Sequence, residues 1–162
     1  MNSNKISNIR IVEDVKSFTI AGLSKKINFN SLTEIPSQWE EFLLMKDEIK
    51  NRTGKASYGL CFNLSNQNEF EYLCGVEVTD TVGLDPKFHS MRLNEHNYAV
   101  FSHEGHVSAI SETSDYIWKN WFPGSDYEYD ASADFFFERY GVRFDPLSGV
   151  GDIEVWVPIV KK

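Results

Sequence analysis

The order of the predicted elements most constrains this chain, because a strand, a helix and two strands occur twice in the same order. The two copies cover residues 9–80 and 91–160, a period of about eighty residues. In each copy a helix can cover one face of a small sheet. The sequence therefore predicts an α+β fold. A duplicated βαββ unit forms one curved antiparallel sheet, with two helices on one face and a ligand pocket at the seam.

Hydrophobic periodicity and turn residues define the elements of the first copy. Thr33 is the predicted N-cap of its helix. The predicted elements are a strand over residues 9–22 that can break near residues 14–16, a helix over 33–50, strands over 58–63 and 70–78, and a hairpin turn at 65–68.

The second copy repeats this order and ends its helix at Pro123 and Gly124. One weak similarity relates the two copies, since residues 73–78 align with residues 154–159 in their last strands. The predicted elements are a strand over residues 91–102, a helix over 107–122, and strands over 134–140 and 153–160.

Composition indicates a packed domain. The chain has 162 residues, of which 41% are hydrophobic and 14% aromatic. This excludes intrinsic disorder and predicts a single domain over residues 1–162. With 24 acidic and 16 basic residues the net charge is −8, which gives no general attraction to nucleic acid. The aromatic share exceeds what a core needs and favours an aromatic-lined pocket.

Metal, cofactor and membrane functions find no support in the sequence. Cys61 and Cys74 are not spaced as a zinc motif, and we expect two free buried thiols. No signal peptide or long apolar run occurs, so we expect a cytoplasmic protein without membrane contact. We expect no cofactor and no metal. The four histidines also lack metal-ligand spacing: His89, His96, His103 and His106.

Four short motifs in the second copy resemble one known family. His103 and Gly105 close a strand, and a helix ends on Trp-Phe-Pro at residues 121–123. A strand then carries Phe-Glu-Arg-Tyr at residues 137–140, and the last strand reads Ile-Glu-Val-Trp-Val-Pro-Ile at residues 153–159. The chain thus resembles the GyrI-like small-molecule-binding domain, which includes the effector-binding domains of Rob-type and BmrR-type regulators. It also resembles stand-alone members that are carried on integron cassettes and bind cationic drugs.

The resemblance implies the duplicated βαββ fold with its pocket at the seam, over nearly the whole chain. It also implies a binding module for hydrophobic, cationic organic molecules rather than an enzyme. Regulators of this family carry a helix-turn-helix before this domain. The first strand here begins near Ile9, so we expect no direct DNA contact and, for regulation, a separate DNA-binding chain.

Glu138 is the candidate carboxylate of the pocket. Strand alternation places it with Phe136 and Tyr140, on the face opposite Phe137 and Arg139. From the pattern alone, a plain ion pair and a ligand contact both remain open. The resemblance favours the ligand contact, because the matching position in the family holds a pocket glutamate.

Trp156 is the candidate aromatic platform. Alternation groups it with Glu154 and Pro158, away from the aliphatic residues that should face the helix, although simple sheet packing remains open. Phe136, Tyr116, Trp39 and Tyr58 complete the predicted ligand site.

Two alternatives remain beside cation binding, which would serve drug or toxin sensing or sequestration. Some GyrI-like proteins resemble hydrolases that open cyclopropane rings in reactive natural products, and Glu138 would then be the catalytic base. Other family members bind DNA gyrase and modulate its inhibition.

Overall fold

A computed structural model describes residues 6–65 and 68–162. Asn66 and Gln67 of the predicted hairpin turn lie outside these residues. The described elements, in chain order, are β1 (Ile6–Val15), β2 (Phe18–Asn28), α1 (Glu34–Met45), β3 (Arg52–Phe62), β4 (Glu69–Val78), β5 (His89–Leu93), β6 (His96–His103), α2 (Ile110–Tyr116), α3 (Phe122–Gly124), β7 (Tyr127–Tyr129), β8 (Phe135–Tyr140) and β9 (Ile153–Lys161).

The chain forms two compact units. Of the described residues, the N-terminal unit contains those within Lys16–Asn94, and the C-terminal unit combines residues 6–15 with Glu95–Lys162. We describe each unit by itself.

In the N-terminal unit the strands are antiparallel, in the order β3-β4-β2-β5. Helix α1 covers one face, and its fully buried Gln38 reaches the sheet. The Gln38 amide donates hydrogen bonds to the carbonyl oxygens of Leu23 at 3.1 Å and Tyr72 at 2.8 Å. These bonds join α1 to both β2 and β4.

In the C-terminal unit the antiparallel order is β1-β6-β9-β8, and β7 also pairs with β9. A helical segment from α2 to α3 covers one face of this sheet. Between them lies a buried cluster of residues from β6, β9 and the helical segment: Ala99, Phe101, Ile117, Phe122, Val155, Val157 and Ile159.

The two units repeat one topology. Strands β2, β3 and β4 pair with one another as β6, β8 and β9 do. The aligned residues also have matching partners: Leu73 lies opposite Ser24, and Glu154 opposite Ser102. The predicted α+β class and the duplicated βαββ order are therefore confirmed.

The first predicted strand of each copy is in fact two strands that belong to different units. The predicted break near residues 14–16 is confirmed, but the strand over residues 91–102 was predicted without a break and is wrong in that respect. Residues 9–22 divide between β1, which pairs with β6, and β2, which pairs with β4. Residues 91–102 divide in the same way between β5 and β6. Polar residues interrupt the apolar alternation at both breaks, at residues 13–14 and 16–17 and at residues 94–97, but a local pattern does not reveal which strand becomes the new pairing partner.

The predicted helix over residues 107–122 is irregular. It begins as a 3₁₀ turn at Val107–Ala109 and contains a π-helical stretch at Ile117–Trp121. Such stretches are rare in helices and are frequent at functional sites.

A buried histidine links β6 to α2. The Nε2 atom of His103 lies 2.9 Å from the carbonyl oxygen of His106, and its Nδ1 lies 2.7 Å from the Thr113 hydroxyl. A carbonyl oxygen can only accept, so Nε2 carries a proton, and in the neutral imidazole Nδ1 accepts from the Thr113 hydroxyl.

We expect Thr113→Val to lower the free energy of unfolding by about 1–3 kcal/mol, because it leaves the buried Nδ1 of His103 without its donor. Urea denaturation measures the change. Thr113→Ser keeps the hydroxyl and should lose less. If the valine variant is as stable as the wild type, this hydrogen bond does not stabilise the fold.

Candidate functional site

The six predicted ligand-binding residues do not share one face. Each unit has a face covered by its helix and a face turned away from it. The register of the strands assigns the candidates to these faces, because directly paired residues point to the same side of a sheet.

Trp156 lies on the face turned away from α2, within a group of aromatic rings. It is paired with Phe137 on β8, and the two rings are stacked, with centroids 5.5 Å apart and planes at 15°. The Tyr98 ring meets Trp156 edge-on, at 5.4 Å. This packing is consistent with the prediction that the aliphatic residues of β9 face the helix and that Trp156 faces away from it.

A carboxylate and two arginines adjoin this indole. The Trp156 Nε1 donates to Oε1 of Glu154 at 3.0 Å, and Nη1 of Arg10 lies 2.9 Å from Oε2. The Arg10 guanidinium also lies over the Trp156 ring, 5.8 Å from its centroid. Nη1 of Arg139 is 3.9 Å from Oε1 of Glu154. We call this group the Trp156 face: Arg10, Tyr98, Phe137, Arg139, Glu154 and Trp156.

The Tyr98 hydroxyl is unusual within the Trp156 face. Tyr98 is fully buried, and its hydroxyl has no hydrogen-bond partner among the described residues. Burial raises the pKa of Tyr98, so the hydroxyl stays neutral at any physiological pH.

Glu138 lies on the opposite side of the same sheet. It pairs with Val155, which belongs to the cluster under the helical segment. The Tyr140 hydroxyl donates to Oε1 of Glu138 at 2.7 Å. The prediction that Glu138 and Trp156 point into one pocket is therefore wrong. Alternation sets the faces within a strand, but the register between β8 and β9 places Glu138 beside Val155 rather than Trp156.

Phe136 and Tyr116 also lie on the helix-covered side, with different neighbours. Phe136 packs against Trp118 of the helical segment, with ring centroids 6.2 Å apart. Tyr116 lines a shallow groove of about 360 Å³ with residues 6–9 of β1. Strand β1 is three strand spacings from β8, the strand of Glu138, or about 14 Å.

In the N-terminal unit the two candidates also face different sides. The Trp39 indole donates to the Tyr72 hydroxyl at 3.0 Å, on the side of α1. Tyr58 pairs with Gly75 and packs against Phe18, on the side turned away from α1. Tyr58 thus has the position in its unit that Phe137 has in the other.

Three further findings concern other chemistry. Cys61 and Cys74 are buried and are not joined in a disulfide, as expected. Over residues 6–65 and 68–162, no group of three or more metal-ligating side chains is close enough to hold an ion. Within the same ranges, no helix has the length and hydropathy needed to cross a membrane.

Comparison with known families identifies the chain. Its residues 8–160 match the family described as the GyrI-like small molecule binding domain. The chain belongs to the GyrI-like family. The resemblance read from the motifs of the second copy is therefore confirmed, and small-molecule binding is the general function of this domain.

One curated relative of this GyrI-like domain is the transcriptional regulator BrlR of Pseudomonas aeruginosa. The two are 30% identical over 123 residues, which cover 75% of this chain and 44% of BrlR. The chain thus spans less than half the length of that regulator.

Solved structures share the fold at low sequence identity. The integron cassette protein VCH_CASS2 of Vibrio cholerae has a TM-score of 0.68 and 16% identity, with 96% of this chain and 97% of that chain covered. SAV2435, solved with tetraphenylphosphonium, has a TM-score of 0.71 and 18% identity, with 94% of each chain covered. A hydrolase of Listeria innocua has a TM-score of 0.56 and 8% identity, with 96% of this chain and 93% of that chain covered.

The sequence alone did not identify Arg10, Arg139 and Glu154 as one group with Trp156. Alternation grouped Glu154 with Trp156, and this was the available signal. Arg10 is 144 residues from Glu154 in the chain. Its position follows from the pairing of β1 with β6, which no local pattern indicates.

Proposed function

We propose that this GyrI-like domain binds a lipophilic organic cation on the Trp156 face, with the Trp156 ring and the Glu154 carboxylate as its contacts. The observation that carries the proposal is the position of the Arg10 guanidinium, 5.8 Å from the ring centroid and 2.9 Å from Oε2 of Glu154. A cation of the protein itself thus uses both an aromatic face and a carboxylate, which are the two groups that attract organic cations.

A ligand can replace this guanidinium at low cost. The Arg10 side chain is 42% exposed, so its ion pair with Glu154 contributes about 0–1 kcal/mol. Arg10 can therefore turn into solvent while a larger and less hydrated cation takes the indole face. The carboxylate of Glu154, 13% exposed, keeps its hydrogen bond from Trp156.

A protein of the same fold supports a lipophilic cation as the ligand class. SAV2435 has the same fold and was solved with tetraphenylphosphonium, a lipophilic cation. For this chain we propose a ligand of the same class, which fits drug or toxin sensing or sequestration.

The test replaces each partner of the Arg10–Glu154 ion pair in turn, because the two substitutions should change the affinity for the cation in opposite directions. By calorimetry with tetraphenylphosphonium, Glu154→Gln should weaken binding about fivefold, because a partly solvated charge-assisted contact is worth about 1 kcal/mol. Arg10→Gln should strengthen binding about twofold to fivefold, because it removes the internal competitor.

Glu138→Gln is the matched control, since it neutralises a carboxylate of the same sheet on its other face. We expect it to change the affinity by less than about twofold. A loss with Glu138→Gln and none with Glu154→Gln would move the cation to the helix-covered side, beside the carboxylate that the sequence alone had predicted as its contact.

Hydrolysis is the second candidate function, and one observation favours it. The Tyr140 hydroxyl, 2.7 Å from Oε1, orients the Glu138 carboxylate beside the aromatic Phe136. An oriented carboxylate can take a proton from water as the water oxygen bonds to a strained ring carbon. The ring bond breaks, its electron pair passes into a conjugated acceptor group of the substrate, and that group then takes up the proton. The shared fold of the Listeria hydrolase is compatible with such a reaction.

Turnover separates the two candidates. On a reactive cyclopropane substrate, the hydrolase hypothesis expects Glu138→Gln to abolish product formation and Glu154→Gln to leave it intact. Absence of product with the wild type would reject hydrolysis of this substrate class.

For regulation, we propose that a DNA-binding segment outside this domain responds to the ligand-bound state. The support is kinship with BrlR, a transcriptional regulator of which this chain covers 44%. The net charge of −8 disfavours direct DNA contact. In a gel-shift assay we expect no DNA binding by the isolated domain at 150 mM salt. Tight binding by it alone would contradict the proposal.

A further inference from the structure

The charges of the Trp156 face do not match those of a simple cation site. Two guanidinium groups, of Arg10 and Arg139, stand against one carboxylate, of Glu154. If a ligand cation replaces Arg10 at Glu154, Arg139 remains beside that cation as a like charge. The single carboxylate of Glu154 is then shared between the ligand cation and Arg139, so a ligand that also carries a negative charge would supply the second counter-charge.

The Arg139 guanidinium has N–H groups that can donate hydrogen bonds to a ligand. Its side chain is 36% exposed, and its one polar contact among the described residues is the 3.9 Å approach to Glu154. A guanidinium presents five N–H donors in a planar fork that matches a carboxylate in two-point geometry. At 3.9 Å the contact with Glu154 is longer than a hydrogen bond, so these donors remain available to a ligand.

We propose that the ligand of the Trp156 face carries an acidic group as well as its cation, and that Arg139 binds this acidic group. The inference rests on the proposed cation site and names its ligand class: aromatic zwitterions. Arg139 and Glu154 are paired on neighbouring strands, and Trp156 follows two positions along β9. Arg139 and Glu154 are about 5 Å apart across the strands, and Glu154 and Trp156 are about 7 Å apart along β9. The positive and negative groups of the ligand must therefore be separated by no more than the width of one ring system.

Two rhodamine dyes test this ligand class. Rhodamine 123 and rhodamine 110 share one cationic ring system, but the first carries a methyl ester where the second carries a free carboxylate. By fluorescence polarisation, we expect the wild type to bind rhodamine 110 about threefold to tenfold more tightly than rhodamine 123. Arg139→Gln should bring this ratio to about one, and Arg139→Lys should retain part of it.

Arg143→Gln is the matched control, because it removes an arginine of the same unit that is 83% exposed and is not part of the Trp156 face. It should leave the ratio unchanged. If the wild type binds the two dyes equally, or if the preference for rhodamine 110 persists in Arg139→Gln, the zwitterion inference is overturned. Binding of rhodamine 123 in that case still supports the cation site. Failure of both dyes and of tetraphenylphosphonium to bind overturns the cation site itself.

Discussion

Gly22→Ala should lower the free energy of unfolding by about 3 kcal/mol or more. Gly22 on β2 lies opposite Gly75 on β4. A Cβ atom at Gly22 would stand 1.8 Å from the Cys74 carbonyl oxygen and 2.6 Å from the Gly75 Cα. Both are backbone atoms, which no side-chain rotation can move away. The added methyl group must therefore push apart two central strands of the N-terminal unit.

Gly124→Ala is the control for this substitution. No atom outside its local segment lies within 4 Å of a Cβ built there. We expect a change of about 0.5 kcal/mol or less, since the site is open to solvent. Urea denaturation of both variants measures the difference. Equal stability of the two would show that β2 and β4 can separate without cost.

Trp156→Leu should weaken binding of tetraphenylphosphonium by about tenfold. The leucine keeps an apolar side chain beside Phe137 and Tyr98 but removes the ring face, and a cation over an indole gains about 1–2 kcal/mol. Trp156→Phe keeps a ring and should retain most of the affinity. Calorimetry measures all variants, and urea denaturation verifies that each is folded.

Trp118→Leu tests whether the effect belongs to one face of the sheet. Trp118 is 36% exposed and packs with Phe122 and Tyr129 on the helix-covered side. Its replacement should leave the affinity within about twofold of the wild type. If Trp118→Leu weakens binding and Trp156→Leu does not, the ligand lies under the helical segment instead.

The candidate site shows how far local patterns reach. Alternation along β9 correctly separated Trp156 from Val155 and Val157, and alternation along β8 correctly separated Phe136 from Phe137. The wrong prediction concerns two neighbouring strands, since it places Glu138 of β8 and Trp156 of β9 on the same face. The phase of one strand against its neighbour depends on which backbone groups pair, and a shift by one residue exchanges the faces.

The sequence by itself determined the α+β class, the duplicated order of elements, the family and the alternation within each strand. These follow from short-range periodicity, turn residues and motifs contained in single segments. Only the tertiary structure decided which strands pair, which carboxylate adjoins Trp156, and that Arg10 of β1 lies over its ring. Those features depend on hydrogen bonds between residues distant in the chain, and a local pattern carries no information about its distant partner.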